Sequence, residues 1–115
     1  MKADKIADNI NQTLSDFNAQ DIRTLDVREL TDITDYMLVG TATSNRHAKT
    51  LSDKVIEELE KHEVSLYHHE GYTLGKWILL DFTDVVVHIM QQEERDFYSL
   101  EKLWALTETS RAKTP

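Results

Sequence analysis

Three sets of residues have the types and spacing to do chemistry. His68-His69-Glu70 places metal-ligand side chains in succession. Adjacent strand residues point to opposite faces, so His68 and Glu70 would converge, with His88 as a third donor. Neither an HExxH spacing nor a cysteine supports a metal, and a solvated strand edge accounts for the same residues. Ser44 and His47, with nearby aspartates, offer the groups of a hydrolase triad. There is no GxSxG elbow, and Ser44 reads as a helix N-cap with His47 in the first turn. Asp32, Asp35, Asp81 and Asp84 would supply the paired carboxylates of a two-metal nucleotidyl transfer. The segment GTATSNRH brings only Gly40, Arg46 and Lys49 to cradle a phosphate. Residues 63–92 hold one lysine against Glu63, Glu70, Asp81 and Asp84, a poor setting for a triphosphate. The residues alone therefore describe a non-enzyme with no cofactor.

The elements that must position these groups follow from periodicity. Ile6, Ile10, Leu14 and Phe17 recur at helical spacing over residues 3–17, with Asp4 as the cap. Extended pieces follow around Asp26-Val27 and over Tyr36–Thr41. Ala48, Leu51, Val55, Ile56 and Leu59 form one stripe of an amphipathic helix over 45–62. A weaker strand in SLYHHEG precedes two strong ones, KWILLDF and DVVVHIM. Phe97, Leu100, Leu103 and Trp104 share a face of a last helix over 93–107, whose aromatics are expected in the core. The order α-β-β-α-β-β-β-α predicts an α/β domain with a mixed five-stranded sheet flanked by helices over residues 1–108, and a frayed tail at 109–115.

A two-residue loop at Thr83-Asp84 sets a hairpin register. Phe82 then faces Val85, Leu80 faces Val87, and Ile78 faces Ile89, all apolar and hence core. The other face carries Trp77, Leu79, Asp81, Val86, His88 and Met90. That mixture suits a docking surface, unless a neighbouring helix covers it.

The chain has 115 residues and 40% hydrophobic content, enough for one core. Its 21 acidic residues against 13 basic give a net charge of -8. Such a surface repels phosphate backbones, so sequence-specific nucleic-acid binding is not expected, and basic protein surfaces are favoured. No apolar run approaches the ~20 residues of a membrane span, and MKADKIADNI lacks the apolar stretch of a signal peptide. A cytoplasmic chain with no membrane partner is the expectation.

The runs ITDYM (33–37), TATSNRH (41–47), HEG (69–71), WILLDFTDVVVHIMQ (77–91) and RDFYSLEKLW (95–104) occur in order over most of the chain. Together they resemble the ribosomal silencing factor family RsfS, also called Iojap. Two departures stand out: Ala42 and Thr83 stand where that family often has glycine. The resemblance implies binding to the large ribosomal subunit through ribosomal protein fourteen of that subunit. It also implies a steric block to small-subunit joining, lower translation when nutrients are short, and a nucleotidyltransferase-like fold without the catalytic motif. A nucleotidyltransferase-like enzyme and a large-subunit assembly factor are the alternatives.

On this reading Trp77 is the anchor, because large aromatics dominate interface energetics. Leu79 and Met90 flank it with apolar area, and Asp81 and Glu70 pair with basic groups of the partner. His69 and Tyr98 join through the matching runs, whereas Arg46, His47 and Asp35 brace the loop before the second helix. The exposed apolar face also predicts a homodimer when no ribosome is present.

Overall fold

The computed structural model describes residues 1–98. Its elements are α1 (Ala3–Asp16), β1 (Gln20–Asp26), β2 (Tyr36–Ala42), α2 (Asn45–Glu60), β3 (His68–Glu70), β4 (Trp77–Asp81), β5 (Val85–Gln91) and α3 (Gln92–Tyr98). The expected helix beyond Tyr98, with Leu100, Leu103 and Trp104, lies outside the described residues, as do the boundary at 108 and the tail.

The strands form one mixed sheet in the order β1-β2-β5-β4-β3. β2 and β5 run parallel at its centre, and the other three pairings are antiparallel. Both helical stripes pack on one face of the sheet. Ile6, Ile10 and Leu14 of α1 and Leu51, Val55 and Leu59 of α2 meet Leu38, Ile78, Leu80, Val87 and Ile89 in the main core. A smaller cluster of Leu25, Val27, Val39 and Met90 occupies the opposite face, with Met37 and Trp77 packed against it.

Local chemistry explains the element ends. The Ser44 hydroxyl accepts the His47 backbone N–H at 3.0 Å, the expected cap of α2. The start of α1 differs from expectation. Lys2 occupies the cap position without a side-chain bond, and the Asp4 carboxylate sits in the first turn, where it accepts the Lys5 N–H. An acidic group there still suits the helix dipole. Phe17 falls at the C-cap and is partly exposed, because the stripe has run out by the last turn.

The β4–β5 hairpin has the predicted register, with Ile78 opposite Ile89 and Leu80 opposite Val87. The Phe82 N–H donates to the Val85 carbonyl at 2.9 Å and closes the two-residue loop. Thr83 takes φ +76°, a conformation that a β-branched residue rarely adopts. The Asp81 carboxylate braces it by accepting the Thr83 N–H at 2.7 Å.

The first strand starts six residues earlier than its apolar residues suggest. A bulge between Gln20 and Arg23 breaks the alternation, with Asp21 at φ +46°. The irregular backbone aims both Asp21 oxygens at Arg95 of α3. The Arg95 guanidinium donates to the Asp21 carbonyl at 2.7 Å and to the Thr41 hydroxyl at 2.6 Å, and it pairs with the Asp21 carboxylate at 3.2 Å. Arg95 is fully buried, so this clasp fastens α3 to the sheet.

Candidate docking face

Strand alternation and register place the hairpin's mixed residues in rows across the sheet face opposite α1 and α2, with α3 at one edge of it. One row reads Met37, Val86, Asp81, His68; the next reads Val39, His88, Leu79, Glu70; the third reads Thr41, Met90, Trp77. Trp77, Leu79, Asp81 and Glu70 therefore share one side of the sheet, as the hairpin register requires.

Trp77 is half-buried and held on three sides. It lies opposite Met90, its indole N–H donates to His88 Nδ1 at 3.0 Å, and its ring meets Tyr98 at 4.7 Å between centroids. Indole nitrogen is only a donor, so His88 accepts through Nδ1 and carries its proton on Nε2. Burial lowers the His88 pKa to about 4, so the imidazole stays neutral and this bond stays intact near neutral pH. A hollow of about 270 Å³ beside the indole is lined by Glu70, Gly71, Trp77, Leu79 and His88. Gly71 is required at its corner. With φ +79°, an added Cβ would stand 2.0 Å from the Trp77 carbonyl oxygen.

Two of the expected partner-binding residues are placed differently. Met90, expected to flank Trp77 with apolar area for a partner, is 0% exposed, covered within the small cluster beneath Trp77. It supports the face from below. His69 lies opposite Leu80 and so points to the helix side, lining a separate hollow with Ser52, Ile56, Leu66 and Tyr72. It does not join Trp77. Glu70 is exposed and pairs with His68 at 3.2 Å, and Asp81 divides its role between the face and the turn. Tyr98 lies on the face beside Trp77. Phe97, expected in the core, is 79% exposed.

The three candidate chemistries find no assembled centre. Among the described residues no group of three His, Asp or Glu side chains is placed to hold a metal. The His47 ring is already engaged: Nδ1 accepts the Thr43 N–H at 3.0 Å, and Nε2 donates to the Phe17 carbonyl at 2.8 Å. It braces the α1–β1 loop against α2, with no bond to the Ser44 hydroxyl. Asp35 and Asp84 meet through their backbones at the start of β2. GTATSNRH forms the last three residues of that strand and runs into α2, so its Arg46 lies past the other end, on the order of 20 Å away at the usual rise per residue.

Sequence reasoning missed the β2 contribution, Met37 and Val39, because nothing local announces a parallel neighbour. It also missed the Arg95 clasp, because the polar run QQEERD gives no local sign that its arginine is buried. His88 was assigned to the face, but its role as acceptor for Trp77 needed the register and burial together.

Comparison with known proteins adds a further finding. The family model described as "Ribosomal silencing factor during starvation" (RsfS) matches residues 1–115. A Ribosomal silencing factor RsfS of Haemophilus influenzae is 39% identical over 94 residues, covering 82% of this chain and 92% of that protein. The Mitochondrial assembly of ribosomal large subunit protein 1 of Mus musculus is 35% identical over 92 residues, 77% of this chain and 40% of that protein. A crystal structure of a Chromobacterium violaceum protein superposes with a TM-score of 0.88 at 37% identity, covering 91% of this chain and 88% of that one.

Proposed function

The chain belongs to the ribosomal silencing factor family, and from that membership we propose that it represses translation by occupying the large ribosomal subunit. In this reading the Trp77 face docks on ribosomal protein fourteen of that subunit, where the small subunit would otherwise join. The mechanism is steric occupancy in the cytoplasm during nutrient limitation, without turnover or cofactor.

The observation that carries the reading is the half-buried Trp77 on the sheet face opposite α1 and α2, with Leu79 and the carboxylates of Asp81 and Glu70 on the same side. A locked aromatic anchor with an acidic rim suits a basic protein surface. The net charge of -8 favours such a partner over bare RNA. Among the described residues no helix is long and apolar enough to cross a membrane.

A second reading, assembly of the large subunit, draws support from the name of the mouse relative. It uses the same docking and differs in when the subunit is met. The nucleotidyltransferase-like alternative loses ground to the separation of Asp35 and Asp84, at one end of β2, from Arg46 beyond the other. When free, the chain is proposed to pair with a second copy, since Leu74, Phe97 and Tyr98 leave apolar area in water. Sedimentation over a wide concentration range tests that pairing, and a strict monomer throughout would refute it.

Pelleting with purified large and small subunits, each alone, tests the main reading. The protein should travel with the large subunit only and reduce its joining to the small one. Pelleting with neither, or with the small subunit alone, would overturn it.

A further inference from the structure

Beside the docking face, on the α3 side of Trp77, lies a second hollow of about 390 Å³. Its walls are Trp77, Phe97, Tyr98 and Leu74, and Glu93 and Glu94 stand among its lining residues. Tyr98 sits between two rings, 4.7 Å from Trp77 and 5.0 Å from Phe97 between centroids, tilted 55° and 75°. Phe97 and Leu74 are 79% and 69% exposed, which leaves their faces open to a visitor. The indole N–H is already committed to His88, so the ring offers its π-face and no donor.

Charge then selects what fits. Aromatic faces attract a cation and gain from nearby carboxylates that neutralise it. Among the described residues neither Glu93 nor Glu94 forms an ion pair. Among the described residues Lys76 is the one basic residue lining the hollow, and Arg95 of α3 is turned inward to Asp21 and Thr41.

We propose that this hollow receives a basic side chain of the protein partner, its ammonium or guanidinium held against Trp77, Tyr98 and Phe97 and facing Glu93 and Glu94. The proposal rests on the docking reading above and deepens it by naming the group that the site takes. Lys76 is the internal competitor for the same carboxylates.

Nuclear magnetic resonance of the isotopically labelled full chain tests the site directly, with the Trp77 indole signal assigned from Trp77→Phe. N-acetyl-arginine amide and N-acetyl-lysine amide should shift that signal at least threefold more than the neutral N-acetyl-citrulline amide. The double substitution Glu93→Gln with Glu94→Gln should abolish the difference, and Lys76→Gln should enlarge it. Equal shifts from charged and neutral amides, or none at all, would overturn the proposal. In large-subunit pelleting the same double variant should bind about tenfold more weakly than the parent. A parent that pellets with an equally competent double variant refutes the cation site alone. A parent that never pellets, while its indole still responds to the charged amides, refutes the docking reading and leaves the site standing.

Discussion

Truncating Trp77 to alanine separates two contributions that one side chain makes at once. The residue is partly covered by Met90, His88 and Tyr98. A fully covered tryptophan buries 150–250 Å², and with the ring partly covered here the change forfeits roughly 100–130 Å² of burial. At about 25 cal/mol per Å² this costs about 3 kcal/mol of stability, His88 losing its donor in addition. Domains of this size usually hold 5–15 kcal/mol, so Trp77→Ala should melt earlier yet remain folded at 25 °C. Large-subunit binding measured at that temperature should fall by a further 2–4 kcal/mol, as for an interface anchor. Asp81→Lys is the companion variant. It reverses a charge on the same face and also removes the brace on the Thr83 N–H, so it should lose about 1 kcal/mol of stability and bind more slowly. An unchanged melting temperature for Trp77→Ala would refute the burial arithmetic. Unchanged subunit binding by both folded variants would refute the docking face.

Three other outcomes follow from the fold. Thr83→Gly should stabilise by about 1 kcal/mol, since relief of a left-handed β-branched residue outweighs the added chain entropy, whereas Thr83→Ala should gain little; thermal melts of both decide it. The folded His88 pKa of about 4 lies below the 6.5 of an open chain, so between those values the unfolded chain binds the extra proton. Stability should therefore fall as pH drops from 6.5 toward 4, by about 2 kcal/mol from this group on reaching pH 5, and urea melts of His88→Gln should lack that loss. Arg95→Met removes the buried clasp and should cost about 3 kcal/mol, with hydrogen exchange rising first in α3; protection equal to the parent there would count against the clasp.

How much was legible in the sequence depended on whether the signal was local. The β4–β5 register followed from strict alternation around a two-residue loop, and it assigned Trp77, Leu79 and Asp81 to one face correctly. Alternation also separates His69 from Glu70, so His69 entered the candidate site only through the family resemblance, and the strand geometry overrules it. Met90 is the contrasting case. A hairpin tells which side a residue faces, but not that β2 and β1 extend that side and enclose it with Val39 and Leu25. The β1 start was hidden because its bulge replaces alternation with a run of polar residues.

The Arg95 clasp has a consequence for how the molecule is made. It joins residues 74 and 54 positions apart, Asp21 and Thr41 to Arg95, and the central β2–β5 pair likewise waits for the second half of the chain. Contacts of such long sequence separation form late, after the loop entropy between them has been overcome. During synthesis α1 and the β1–β2 hairpin emerge early but have no partner on the open side of β2. The aromatic face is assembled only when residues through α3 have left the exit tunnel. A newborn copy therefore cannot set Trp77 against Tyr98 until α3 has emerged.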